Sequence, residues 1–142
     1  MSEIKNFFPL HETFTDCCGQ ERLFIITADE VPVGGWVVRA EEADSPDLGY
    51  EFAAYAVASP YQALGLLRFK VRRELATRYL DPRKEDPEPL HQRLRGHIGF
   101  DATTREIVLV VDGRAVSMNQ LQRIFGMHEG WSFDLVISDR AD

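Results

Sequence analysis

The chain has 142 residues, of which 44% are apolar and 27% are charged, and its formal net charge is −7 at pH 7. These values are typical of a soluble globular protein of one-domain size with an ordinary core. The acidic balance argues against broad binding to nucleic-acid phosphates, and no apolar run approaches the roughly 20 residues that a membrane helix needs.

The N-terminal segment lacks the basic region and long apolar core of a signal peptide, and the chain has two cysteines. We therefore expect a protein of the reducing cytoplasm, with no membrane contact. Residues 1–20 contain several large apolar side chains without a sustained period, and we expect them to form an ordered N-terminal arm.

Three segments after this arm are rich in β-branched and aromatic residues, at 22–28, 36–41 and 50–58. The connections between them are short and contain Gly and Pro. Short connections favour antiparallel neighbours, so the pattern predicts a three-stranded meander.

The longest helical pattern runs from Ser59 to Leu80. Ser59 can cap the first turn, and Pro60 suits the first helical position. An apolar stripe recurs at three- and four-residue spacing, and it consists of Leu64, Leu67, Val71, Leu75 and Tyr79. Asp81-Pro82 is expected to end the helix, because the residue before a proline avoids the α region.

Residues 81–92 contain three prolines and several charges, which predicts a surface linker between two halves of the chain. Beyond it, strands are predicted at 94–100 and 106–111. A capping box at Ser117 and Gln120 opens a helix that runs to about residue 128.

Alternating aromatic and aliphatic residues at 131–137 predict a final strand. The order is therefore βββα-ββαβ. It predicts one α+β domain over residues 1–142, a largely antiparallel sheet of about six strands with two helices packed on it.

Charge is segregated along the chain. Residues 68–95 hold nine basic and five acidic residues, a balance of +4, whereas the rest of the chain holds seven basic and 18 acidic residues, a balance of −11. A solvated helix face explains such a pattern without any function. As a functional hypothesis, the basic face would contact carboxylates of a protein partner or of a second copy in a homodimer, through Arg68, Arg72, Arg73 and Arg78.

No residue pattern predicts a catalytic, metal or cofactor site. None of the four histidines lies in an H-x-x-x-H pattern, and no serine lies in a G-x-S-x-G elbow. Cys17 and Cys18 are adjacent, whereas zinc-binding cysteines are normally spaced by two to four residues. The chain is therefore interpreted as non-enzymatic, with the role of these two thiols left open.

Two alternatives remain open. The first is a small-molecule or enzymatic site in a groove between sheet and helix, lined by Trp36, Tyr50, His97 or Trp131. The second, less favoured, is nucleic-acid binding by the basic helix, with Phe69 as a stacking residue.

Residues 59–80, the stretch from Leu109 through the Asp112-Gly113 turn to Ser117, and the Glu129-Gly-Trp start of the last predicted strand resemble an uncharacterised family of small bacterial domains. The resemblance covers roughly residues 50–139. It implies the order basic helix, apolar strand, short helix and aromatic strand, and a bacterial cytoplasmic source. It implies no activity and no catalytic residue.

Overall fold

The computed structural model of the protein describes residues 6–43 and 48–139. Its helices and strands in chain order are β1 (Leu10–Thr15), β2 (Glu21–Glu30), β3 (Trp36–Glu42), β4 (Glu51–Ala56), α1 (Pro60–Ala76), β5 (His97–Asp101), β6 (Glu106–Val111), β7 (Arg114–Val116) and α2 (Met118–Gly126).

The predicted α+β class and the antiparallel pairing are confirmed. The strands form two sheets rather than one, with the order β1-β2-β3-β4 in the first and β5-β6-β7 in the second. Every neighbouring pair is antiparallel. The two sheets divide the described chain into an N-terminal half, residues 6–76, and a C-terminal half, residues 77–139. The single domain over residues 1–142 stays a prediction.

Helix α1 covers one face of the four-stranded sheet. Its predicted cap is confirmed, because Ser59 Oγ accepts from the Gln62 amide and Pro60 is the first helical residue. Four members of the predicted stripe are buried, and they pack against the inward side chains of the strands, which include Phe24, Ile26 and Val38. Alternate strand residues therefore supply one wall of this core and the helical stripe supplies the other.

The described part of the predicted N-terminal arm contains strand β1, which the sequence pattern did not predict. Leu10 pairs with Ile26, and Thr15 pairs with Glu21. Every second residue of β1 faces α1, but the central one is Glu12, which binds Arg68 of the helix. A carboxylate at an inward position interrupts the apolar alternation, which is why the sequence pattern did not predict a strand here. Residues 1–5 lie outside the described part of the chain.

Helix α1 ends at Ala76, four residues before the predicted end. The amides of Tyr79 and Leu80 donate to the carboxylate of Asp112, at 2.9 and 2.7 Å for Oδ2. A helical continuation would have used these amides within the helix. A distant acceptor therefore ends the helix before Asp81-Pro82 can. Tyr79 accordingly leaves the stripe and packs in the core of the C-terminal half.

The predicted surface linker, 81–92, is an ordered loop. Leu80 and Pro89 form an isolated antiparallel bridge, and the Asp81 amide donates to the Glu88 carbonyl at 2.8 Å. The Arg83 guanidinium and amide bind the Asp81 carboxylate and lower its pKa to about 2.

The C-terminal half has its own core, in which α2 packs on the three-stranded sheet. Leu121 and Ile124 of the helix contact Val111 and Val116. The predicted capping box at Ser117 is confirmed, with both reciprocal hydrogen bonds present. Strand β7 has only three residues, too few for a period to be visible in the sequence.

The predicted strand at 131–137 is wrong as a member of either sheet. The segment follows α2 without helical or strand pairing. Alternation specifies which side chains share one face of an extended chain, but it does not supply a neighbouring strand. Helix α2 ends with Met127 as its C-cap, and Gly130, three residues later, has φ 88°.

Candidate functional site

The outer face of α1 lies opposite its buried stripe and consists of Gln62, Gly65, Leu66, Phe69, Arg72 and Arg73. Phe69 is 65% exposed, and Leu66 is also exposed. The same helix therefore packs one side on the sheet and presents an apolar and basic surface on the other.

Two of the four predicted site arginines belong to this outer face. The Arg73 guanidinium lies over the ring of Phe69, 5.8 Å from its centroid, and 3.8 Å from the carboxylate of Glu74. Arg72 lies over the ring of Phe14 at 5.7 Å, and it has no ion pair to a carboxylate among the described residues. Both guanidinium groups thus lie against aromatic rings, the exposed ring of Phe69 and the buried ring of Phe14, and these contacts limit their conformational freedom.

Arg68 lies at the border between the buried and outer faces. It binds Glu12 at 2.8 Å, and both side chains are partly buried. Its charge is therefore matched within the chain, and its main contact ties α1 to β1.

Arg78 lies beyond the end of α1 and outside its outer face. Its guanidinium donates to the carbonyl of Cys17 in the β1–β2 turn. The four predicted residues are accordingly divided, since two share the outer face of α1, one pairs with β1 and one binds the β1–β2 turn.

The β1–β2 turn is part of the contact between the two halves, which we call the junction. The junction consists of Asp16, Cys17, Arg22, Glu42, Tyr50, Arg78, Asp112 and Gly113. Arg22 binds Asp16 and Glu42, at 2.8 Å each, and all three side chains are largely buried. Burial alone would raise the pKa of Asp16, but the hydrogen bonds from Arg22 and from the amides of Gln20 and Cys18 outweigh it and lower the pKa.

Tyr50 connects the N-terminal half to the β6–β7 turn of the second sheet. Its hydroxyl accepts from the Gly113 amide at 2.7 Å, and Arg22 lies over its ring at 5.4 Å. Burial raises the pKa of Tyr50 to about 12. Gly113 has φ 74°, and a Cβ at this position would collide with the Arg22 guanidinium. The Asp112-Gly113 turn therefore permits the close approach of the two halves.

The sequence indicated Asp112-Gly113 only as a tight turn. Its carboxylate is nevertheless the acceptor that ends α1, and its neighbour is the donor to Tyr50. The Asp-Gly pair correctly predicted the tight turn. Nothing in the sequence indicated that the Asp112 carboxylate would accept from the amides of Tyr79 and Leu80.

A groove of about 170 Å³ lies beside the junction and is lined by Tyr50, Phe52, Lys70, Glu74, Tyr79, Arg95 and His97, among other residues. Two of the four aromatic candidates meet here, with the rings of Tyr50 and His97 4.8 Å apart, and His97 Nε2 lies 2.9 Å from the Leu48 carbonyl. Trp36 lies at the opposite end of β3 from Glu42, and Trp131 packs on His128, so the structure does not bring these two into the groove.

Cys17 and Cys18 are free thiols whose sulfur atoms lie 3.7 Å apart. Burial raises the pKa of Cys17 to about 12, so its thiol stays protonated at neutral pH. Within residues 6–43 and 48–139, no group of three His, Cys, Asp or Glu side chains is placed to hold a metal ion. The same described part of the chain contains no helix that is long and apolar enough to cross a membrane.

Comparison with known families divides the chain at the same place as the fold does. A family model described as a domain of unknown function, DUF7686, matches residues 6–76, half of the chain. The chain belongs to the DUF7686 family. A second domain of unknown function, DUF7713, matches residues 77–142.

The two matches meet at the end of α1, so the DUF7686 match covers the four-stranded sheet with its helix, and the DUF7713 match covers the C-terminal half. The resemblance to an uncharacterised family is thereby confirmed. The searches of curated proteins and of solved structures gave no match.

Proposed function

We propose that the protein is a non-enzymatic protein-interaction domain that binds an acidic surface of another protein through the outer face of α1. The observation that carries the proposal is Phe69, which is 65% exposed on a rigid helix with the Arg73 guanidinium over its ring. A cytoplasmic location, and the bacterial source that the family resemblance implies, are part of the same proposal.

The composition of this face supports binding to protein. Aromatic residues and arginine are enriched in protein interfaces and dominate their binding energy. Arg73 is held by Phe69 and Arg72 by Phe14, so little side-chain freedom is lost on binding. The buried stripe holds the helix on its sheet, which fixes the position of both arginines.

The charge distribution supports an acidic partner. Arg72 and Arg73 lie in the one basic region of a chain whose remainder carries −11. Each guanidinium can donate two parallel hydrogen bonds to a carboxylate. The surrounding negative charge opposes binding to a phosphate backbone, which makes nucleic acid the weaker hypothesis. A second copy of this acidic chain is the alternative occupant of the face.

Arg68 and Arg78 were part of the same hypothesis, and their participation stays a prediction. Arg68 binds Glu12, and Arg78 donates to the Cys17 carbonyl. Contact with a partner would have to compete with these bonds, so the proposal centres on the other two arginines.

A capture experiment with a charge-matched control tests the proposal. Tagged wild type, Arg72→Glu/Arg73→Glu and Lys84→Glu/Arg93→Glu are each used to capture proteins from a lysate of the source cells. Both variants change the net charge by the same amount within the basic region, but only the first alters the outer face of α1. We expect acidic proteins retained by wild type and by the control to fall at least tenfold with the first variant.

High salt should release the same proteins, because exposed charge pairs are screened. Equal retention by all three proteins would overturn the proposal. If the retained protein is this chain itself, the second-copy alternative replaces a foreign partner.

The groove at the junction supports a second candidate function, binding of a small anionic molecule. The observation that favours it is the presence of Lys70 and Arg95 beside aromatic rings, whereas the carboxylates that line the same groove oppose an anion; these belong to Glu51, Glu74, Asp112 and Asp139. Arg95 already binds Glu74 at 3.1 Å, and Lys70 donates to the Ala53 carbonyl at 3.2 Å, which weakens the case. A rise in melting temperature with small carboxylates or phosphates, lost in Arg95→Ala, would support this candidate. The absence of any rise would remove it.

A further inference from the structure

The apolar segment, residues 131–137, follows α2 and carries the largest concentration of exposed apolar side chains in the described chain. Phe133 is 88% exposed, and the segment's other exposed apolar members are Trp131, Leu135, Val136 and Ile137. Their alternation places Trp131, Phe133, Leu135 and Ile137 on one face of an extended chain.

The backbone of this segment is also available for pairing. Trp131 donates to the His128 carbonyl at 2.9 Å, but no backbone hydrogen bond joins residues 132–138 to another described part of the chain. A segment with strand-forming residues, alternating apolar side chains and unused amides is typical of a strand whose neighbour is on another molecule.

The same half of the chain carries an apolar surface that can receive such a segment. Phe100 and Ile107 are directly paired on β5 and β6 and are 40% and 50% exposed. They share a sheet face with Leu109 and Val111, which α2 covers. Helix α2 has only nine residues, so it leaves the other end of this face, the receiving face of Phe100 and Ile107, in contact with solvent.

The area available fits a stable dimer. Aromatic side chains bury about 150–250 Å² each and aliphatic ones somewhat less, so the largely exposed apolar segment would remove about 500 Å² from water on each copy. The receiving face adds about 200 Å², because its two side chains are already half covered. In a two-fold dimer each copy gives one segment and receives one, which brings the total to roughly 1,400 Å², within the range of standard-size stable interfaces.

We propose that the protein forms a homodimer in which the apolar segment of each copy docks on the receiving face of the other. The second copy is the occupant because one chain carries both complementary surfaces, and a two-fold arrangement covers both sets at once. This contact is independent of the outer face of α1, and the two differ in chemistry. An apolar contact persists at high salt, whereas the contact of Arg72 and Arg73 weakens.

Light scattering coupled to size exclusion tests the dimer. We expect wild type to have twice the 16.2 kDa of one chain at both low and high salt. Phe133→Asp/Leu135→Asp should reduce the mass to that of one chain. Val33→Asp/Val57→Asp is the matched control, since it places the same charges at exposed apolar positions of the N-terminal half, and it should remain dimeric.

A mixing experiment then distinguishes docking on the receiving face from pairing between two segments. Ile107→Asp removes the receiving face but keeps the apolar segment, and Phe133→Asp/Leu135→Asp does the reverse. Each variant alone should be monomeric, with circular dichroism showing that it is folded. Their mixture should form a heterodimer through one intact contact, with at least tenfold stronger association than either variant with itself.

A monomeric wild type at all concentrations would overturn the proposal and leave the apolar segment as a site for a different protein. A dimer that survives Phe133→Asp/Leu135→Asp would also overturn it. Failure of the mixture to associate would contradict docking on the receiving face.

Discussion

Asp112 and the residue after it connect the β6–β7 turn to two other parts of the molecule. Its carboxylate accepts from the amides of Tyr79 and Leu80, while the next residue donates to Tyr50. One carboxylate thus ends α1, anchors the chain that enters the C-terminal half and fixes the β6–β7 turn. Hydrogen bonds to a charged acceptor are about twice as strong as neutral ones, which explains why this contact overrides helix propensity.

We predict that Asp112→Ala lowers the free energy of unfolding by about 3 kcal/mol, because two buried amides lose a charged acceptor. Asp112→Asn keeps one acceptor oxygen and tolerates the positive φ of 54° found here, so its cost should be about 1 kcal/mol. Denaturant titration followed by circular dichroism measures both. Equal losses for the two variants would show that the acceptor oxygen retained in Asn contributes nothing, which would contradict the prediction.

Tyr50 gives a second test at the scale of one residue. Its pKa is raised to about 12 by burial, from an ordinary 10.0, so the folded state holds the phenol proton more tightly than the unfolded state does. The stability that this supplies is complete below pH 10 and is lost as the pH rises through about 12.

In an ultraviolet titration we expect Tyr50 to ionise in a late step near pH 12, and Tyr50→Phe to abolish that late step. A late step that persists in Tyr50→Phe would contradict the assignment. Tyr55→Phe, at an exposed position, is the control that leaves it in place.

At the scale of the element, α1 has two faces with separate tasks. Leu67 is fully buried in the core of the N-terminal half, and Phe69, two residues later, is largely exposed. The stripe, cap and first residue of this helix could all be predicted from the sequence, because each depends on neighbours within one or two turns. Its end could not, because the acceptor that ends it lies more than 30 residues away.

We predict that Leu67→Ala lowers the free energy of unfolding by about 2–5 kcal/mol, since it opens a cavity in a packed core. Phe69→Ala should change it by less than about 0.5 kcal/mol, because the ring contacts mainly Arg73 and solvent. Thermal or denaturant unfolding compares the two variants. A large loss in Phe69→Ala would show that the ring supports the fold and would remove the reason for assigning it to binding.

The strands show the same division between local and distant causes. β2, β3, β4, β5 and β6 were predictable because their composition and turns are local signals. β1 was missed because Glu12 occupies an inward position and is matched by Arg68 of α1, a contact that the local pattern does not contain. The prediction of a final strand was wrong for the opposite reason. Residues 131–137 have the apolar alternation of a strand, but no other described strand of the same chain pairs with them.

At the scale of the whole molecule, two sheets with separate cores meet at a polar junction, and the family matches divide at residues 76 and 77. The predicted basic site is divided by this architecture, because Arg78 serves the junction and Arg68 serves the first sheet. The sequence identified the basic helix but could not tell matched arginines from available ones. That distinction leaves Phe69, Arg72 and Arg73 as the centre of the proposed contact surface.

Site-specific photocrosslinking tests this claim most directly. A photoreactive phenylalanine analogue is placed at Phe69 in one protein and at Val57, an exposed apolar position outside α1, in another. Each is irradiated in a lysate of the source cells. We predict a discrete crosslinked product with an acidic protein from position 69, lost on Arg72→Glu/Arg73→Glu, and no such product from position 57. The same products from both positions, or none from position 69, would contradict it.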